Sequence, residues 1–161
     1  MNDFTSINNK YLLEMEKQNI AIACDHAGFY IKEILVEFLI QEGYKIRDFG
    51  TDSEESVDYP DFSHPMVRAV ENNEYDYGIS ICGSGNGINM VANKYPGIRS
   101  ALCWNIEIAE LARSHNNANI CALPGRFINQ SQAIAIIKVF LNTNFIGGRH
   151  ERRIKKIPIL P

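Results

Sequence analysis

No two cysteines in this sequence are spaced as CxxC, and the four present (Cys24, Cys82, Cys103 and Cys121) are scattered along the chain. That spacing argues against a disulfide framework and against a structural zinc site, and it suits reduced thiols in a cytoplasmic setting. No apolar run reaches the roughly 18 residues a membrane-spanning helix needs. The opening stretch, MNDFTSINNKY, lacks the basic and apolar segments of a secretory signal. A soluble, unexported protein is expected, with no membrane partner. Positive charge is not in excess either. The formal net charge of -3 argues against nucleic-acid binding by the surface as a whole. Internal repeats, linkers and low-complexity tracts are missing. So are three catalytic signatures. A GxGxxG dinucleotide fingerprint would need glycine where Ile88 stands, no Walker sequence occurs, and Ser84 lies directly between Gly83 and Gly85, which rules out a GxSxG elbow.

What is present suits one domain. The chain has 161 residues, 45% hydrophobic and 22% charged, enough to build a single sizeable core. Residues 1–19 read as an N-terminal extension and residues 20–161 as a single domain that includes a C-terminal basic segment. Apolar and β-branched runs predict strands at Ile20–Cys24, Tyr44–Gly50, the stretch ending at Cys82, Ile98–Cys103 and Asn119–Leu123. Helical periodicity lies between them. Ile31, Ile34, Leu35, Phe38 and Leu39 line one helix; a second is expected from about Ser63 to Asn72 with Pro65 in its first turn. A third carries Ile108, Leu111 and Ala112 behind an Asn105 cap, and a fourth runs from Gln130 to about Leu141. Strands alternating with helices predict a five-stranded parallel sheet covered on both faces, a three-layer α/β/α sandwich of Rossmann-like type.

The stretch from Tyr75 to Lys94 carries the sharpest signal. A buried strand ends at Cys82, a turn of GSGNG follows, and a helix begins. Gly83, Gly85 and Gly87 let backbone N–H groups approach an oxyanion at a helix N-terminus, an environment that favours reactive thiolates over inert thiols. A buried cysteine before a glycine turn is the bland alternative, and the position at a strand's carboxyl end weighs against it, because open α/β sheets bind ligands there. Asp25 and His26, after the first strand, and Arg126 share that edge, although an Asp before a helix is more often a cap. His115 and Asn116 close a helix and could transfer protons or merely cap it. Arg126, Arg149 and Arg153 are candidate phosphate clamps, the last two sharing a face if the tail is helical. His64 and His150 read as surface residues.

Several of these stretches together resemble a known family: CDHAG at Cys24–Gly28, DYP at Asp58–Pro60, CGSGNG at Cys82–Gly87, VANK at Val91–Lys94, GIR at Gly97–Arg99, HNNAN at His115–Asn119 and GGRHERR at Gly147–Arg153. The sequence is similar from about Ile20 to Ile157 to the ribose-5-phosphate isomerases of type B and to the galactose- and allose-6-phosphate isomerases. The resemblance implies a cofactor-free, metal-free aldose–ketose isomerase of the pentose phosphate pathway, working through a cis-enediolate. It implies that Cys82 is the base, that Ser84 hydrogen-bonds the substrate near C1 and C2 where many relatives have threonine, and that N–H groups of Gly83, Ser84, Gly85, Asn86 and Gly87 stabilise the enediolate. By the same resemblance His115 opens the sugar ring, Asn116 touches the enediolate, Asp25 and His26 contact sugar and phosphate, and Arg126, Arg149 and Arg153 bind phosphate. A homodimer or dimer of dimers with shared active sites is implied as well. One branch of the family places a glutamate where this sequence has Ile88 and lacks the cysteine, so the sequence aligns with the cysteine branch. Two rival readings stand beside this one: an isomerase of a 6-phosphorylated hexose, and a non-catalytic phosphosugar-binding module.

Overall fold

The computed structural model describes residues 17–159. Residues 1–16, most of the expected extension, lie outside the described residues. The elements are β1 (Asn19–Cys24), α1 (Phe29–Gln41), β2 (Lys45–Asp48), α2 (Tyr59–Glu71), β3 (Tyr77–Cys82), α3 (Asn86–Ala92), β4 (Ser100–Leu102), α4 (Ile106–Ser114), β5 (Ile120–Pro124), α5 (Gln130–Asn142) and α6 (Arg149–Ile154). All strand pairs are parallel, in the order β2-β1-β3-β5-β4. Helices α1, α4 and α5 cover one face and α2 and α3 the other, which is the three-layer α/β/α sandwich expected. No helix among the described residues is long and apolar enough to cross a membrane.

Alternation along the strands decides which helices lie where. In β1 and β3, Ile20, Ile22, Ile79 and Ile81 point to one side and meet Leu35, Leu39, Ile136, Ile137 and Phe140. Each such aliphatic side chain, when fully buried, stabilises the fold by roughly 1.5–3 kcal/mol. The other side is built from small residues. Ala21 and Ala23 lie there with Gly78 and Ser80 alternating between the isoleucines of β3, so α2 packs close through Met66, Val67 and Val70. A Cβ on Gly78 would stand 2.9 Å from the Met66 sulfur.

Two strands are shorter than the sequence expectation, β2 at Lys45–Asp48 against Tyr44–Gly50 and β4 at Ser100–Leu102 against Ile98–Cys103, and three helices depart from it as well. Helix α2 begins at Tyr59, ahead of Ser63, with Pro60 in its first turn and Pro65 inside it. Pro60 needs no intrahelical donor where it sits, and the carbonyl that Pro65 leaves without a donor, that of Asp61, is on the exposed side of the helix. In α4 the buried residues are Ala109, Ala112 and Arg113, while Leu111 is 43% exposed. Arg113 displaces the expected face because its guanidinium has partners inside: it donates to Asn117 Oδ1 at 2.9 Å, to the Ala118 carbonyl and to the Tyr77 hydroxyl at 2.9 Å. In α1, Lys32 is buried among the predicted apolar residues and pairs with Asp48 and Glu33.

Candidate active site

The strand order reverses direction between β1 and β3: the chain moves outward from β1 to β2 and returns to the other side of β1 for β3. Such a switch point leaves a crevice at the carboxyl ends of the two strands. Asp25 follows β1 and Cys82 ends β3, so the two flank that crevice. The Asp25 carboxylate is buried and accepts the N–H groups of Ala27 at 2.9 Å and Gly28 at 3.1 Å, while its own N–H donates to the Ile81 carbonyl at 3.1 Å. It therefore shapes the turn ahead of α1, whose N-cap is Gly28, rather than capping the helix directly. His26 accepts the N–H of Val57 on Nδ1 at 3.2 Å, which ties the 50–58 loop to the crevice.

Cys82 packs against Ile88 of α3 and Ala122 of β5, with Tyr59 and Leu102 alongside. The turn after it is laced to the neighbouring strand by its backbone: Gly125 N–H donates to the Cys82 carbonyl at 2.9 Å and Arg126 N–H to the Gly83 carbonyl at 3.0 Å. Gly85 has φ +75, and a Cβ there would collide with Leu102 Cδ1 and lie 3.0 Å from the backbone carbon of Leu123. Only glycine suits both the left-handed backbone and that contact. A Cβ on Gly87 would meet the Tyr59 ring at 2.6 Å. Ser84 and Arg126 are exposed above the turn, and the Ser84 hydroxyl accepts the N–H of Asn86 at 3.3 Å. The Arg126 guanidinium lies beside Gly83 and has no ion-pair partner among the described residues. Asp25, His26, Cys82, Ser84, Asn86 and Arg126 thus occupy one edge of the sheet.

The remaining expected residues are elsewhere. Helix α4 runs back from the carboxyl end of β4 and delivers His115 and Asn116 to the loop before β5, at the amino edge. Gly78 pairs with Ile120 and Cys82 with Pro124, so the strand between those levels alone spans about 13 Å at ~3.3 Å per residue. That loop is tightly held: Arg99 Nε–H donates to the carbonyls of Asn116 and Asn117 at 3.1 and 3.0 Å, and Arg113 binds Asn117 and Ala118. Burial lowers the pKa of both guanidinium groups. Helix α6 comes to the same edge, where Ile146 N–H donates to the Ser114 carbonyl at 3.1 Å. Arg149 and Arg153, both exposed, lie on it, and His150 stacks on His115. A groove of about 540 Å³ beside α6, lined by Lys94, Tyr95, Arg99 and Ile157 among others, includes none of the Cys82 turn.

His150 is the main correction to the sequence reading, being buried at 7% exposure rather than on the surface. His64 is half-buried, 2.6 Å from the Tyr95 hydroxyl. Nothing in the spacing of RHERR says which loop α6 docks on, so the sequence gives no signal for His150. Tyr59 had one: a glycine at 87 where the ring needs room.

A family profile described as Ribose/Galactose Isomerase matches residues 20–157, every strand and helix just described except Asn19. The chain belongs to this family. Among its relatives, a ribose-5-phosphate isomerase B of Escherichia coli is 39% identical over 87% of this chain and 94% of its own length. A crystal structure of a ribose 5-phosphate isomerase from Thermotoga maritima superposes with a TM-score of 0.85 at 54% identity, covering 87% of this chain and 97% of that one. The ribose-5-phosphate isomerase B of Mycoplasma genitalium, solved with bound ribulose-5-phosphate, gives 0.83 at 44% identity over 86% and 93%.

Proposed function

We propose that this chain is an aldose–ketose isomerase that interconverts ribose 5-phosphate and ribulose 5-phosphate. The observation that carries the reading is Cys82 at the β1/β3 switch point, beside the glycine turn that opens α3, in a chain whose relative is solved with ribulose-5-phosphate. In the proposed mechanism the Cys82 thiolate removes the proton on C2 of the open-chain aldose. The electron pair moves into the C1–C2 bond and the carbonyl electrons move to O1, where N–H groups of residues 83–87 meet the growing charge. The Ser84 hydroxyl hydrogen-bonds O1 and O2 while the proton on O2 passes to O1. Cys82 then returns its proton to C1, which leaves a carbonyl at C2. No external oxidant or reductant is needed, and the reading calls for no cofactor or metal.

Ring opening requires an acid–base group at the ring oxygen, within a few ångströms of the carbons that Cys82 serves. His115 fits that role chemically, yet in one chain it lies at the opposite edge of the sheet. This separation supports a homodimer in which the amino edge of one chain, with His115, Asn116, Arg149 and Arg153, closes over the carboxyl edge of the other, with Asp25, His26, Cys82, Ser84 and Arg126. The proposed isomerase domain spans residues 20–161, with residues 1–19 as an extension to it, and its setting is cytoplasmic.

A coupled isomerisation assay with ribose 5-phosphate, allose 6-phosphate and galactose 6-phosphate tests the reading. Turnover of ribose 5-phosphate is expected, reduced about 10²–10⁴-fold in Cys82→Ala. Turnover of a hexose phosphate alone would shift the substrate by one hydroxymethylene. A folded protein that turns over none of the three would leave the phosphosugar-binding reading.

A further inference from the structure

His150 is buried on a six-residue helix between two exposed arginines, and the reaction just described gives it no task. Its ring lies parallel to that of His115, with centroids 4.0 Å apart and planes 13° from coplanar. Its Nε2 accepts the Nε–H of Arg149 at 3.4 Å. One side chain therefore touches the proposed ring-opening group through its face and a proposed phosphate clamp through its edge.

We propose that His150 is a positioning residue, which aligns the His115 imidazole by face-to-face packing and the Arg149 guanidinium by accepting its Nε–H. What those two partners do rests on the isomerase reading; the alignment itself does not. Three charged or titratable groups face the ring, His115 from the end of α4 and Arg149 and Arg153 from α6. Burial first, and then the charges of these three, lower the His150 pKa. Both effects favour the neutral ring, and a neutral imidazole keeps the lone pair that accepts the Arg149 Nε–H. The two contacts use different features of the ring, so they can be separated. A flat ring suffices for the stack, and an acceptor suffices for the arginine.

Three variants make the separation. His150→Phe keeps the flat ring and loses the acceptor, His150→Gln keeps an acceptor and loses the ring, and His150→Ala loses both. Each is measured for ribose 5-phosphate kinetics, for inorganic phosphate affinity and for the NMR resonance of the His115 ring protons. For His150→Phe the expected result is a KM and a phosphate Kd raised about tenfold with kcat within about twofold, since a hydrogen bond to a charged group contributes on that scale. For His150→Gln, kcat falls about tenfold with KM and phosphate Kd little changed, and the ring-current shift on His115 disappears. His150→Ala shows both losses. Wild-type kinetics, phosphate affinity and His115 resonance in all three variants would overturn the proposal. So would equal losses in all three that track thermal midpoint alone, because a merely structural residue gives no split. If the wild-type chain fails to turn over ribose 5-phosphate, the isomerase reading falls, while the phosphate and NMR measurements still decide the alignment.

Discussion

Cys24 carries a thiol whose pKa burial pushes up to about 12, and Cys121 is driven well above the usual range by burial and by its neighbour Cys103. Neither presents a thiolate at neutral pH, and Cys103 is fully buried next to Cys121. Iodoacetamide is therefore expected to label Cys82 alone in the folded protein, more slowly when ribose 5-phosphate is present; peptide mapping that found Cys24 or Cys103 modified first would contradict this. Lys32 is the other residue with a definite electrostatic role. Burial disfavours its charge, but hydrogen bonds to Asp48 and Glu33 outweigh that, and its pKa is raised overall. Asp48 also accepts the Gly50 N–H at 2.8 Å, which anchors the start of the 50–58 loop. Asp48→Asn leaves the buried ammonium with Glu33 alone and is expected to cost about 3 kcal/mol in chemical denaturation. A group with a raised folded pKa contributes its stability below the unfolded value, about 10.4 for lysine, and loses it as pH rises through the folded one. The deficit of Asp48→Asn is thus constant from pH 7 to 10 and shrinks above that. Cys82 was legible from residues next to it in the chain, a strand before and glycines after. Lys32 and His150 were not, because their partners Asp48 and His115 are remote in sequence and no period in the chain encodes them.

Among the elements, the glycine turn is the least tolerant of change. Gly85→Ala would combine a φ of +75 with contact against the backbone of Leu123, and the expected cost is about 2 kcal/mol of stability. Urea denaturation reads it directly; a loss below about 0.5 kcal/mol would mean that the turn relaxes. The two backbone bonds from Gly125 and Arg126 hold the turn independently of any ligand. The types and order of the five strands and of α1 to α5 were readable, since alternation in β1 and β3 and the 3.6-residue period in α1 and α5 are local properties, whereas the six-residue α6 was only a conditional expectation. Boundaries were harder. The start of α2 was misplaced because Pro60 and Pro65 both satisfy first-turn chemistry, and only packing of the Tyr59 ring over Gly87 selects the earlier one. In α4, Arg113 took an interior place that hydrophobicity assigns to leucine, because Tyr77 and the 117–118 carbonyl and amide groups receive its protons.

At the scale of the whole molecule, the candidate site residues fall at two edges of one sheet, and the sequence carries no local mark of which edge faces which. Strand direction supplies part of the answer: helices returning from the carboxyl edge end at the amino edge, so His115 and α6 fall opposite Cys82. Under the proposed pairing, two variants impaired at opposite edges rescue each other. At ribose 5-phosphate well below the raised KM of Arg149→Ala, mixing and re-pairing equal amounts of Cys82→Ala and Arg149→Ala is expected to restore about a quarter of wild-type activity, because half of the pairs are mixed and each of those holds one intact site. No recovery would show that each site is self-contained.

The opposed edges have a kinetic consequence. In the proposed pairing, where each reaction centre takes one edge from each of two chains, a lone chain is inert, so output per chain is expected to fall on dilution and recover on concentration, with the midpoint at the dissociation constant of the pair. Below that concentration, total rate should grow as the square of the amount of protein rather than in proportion to it.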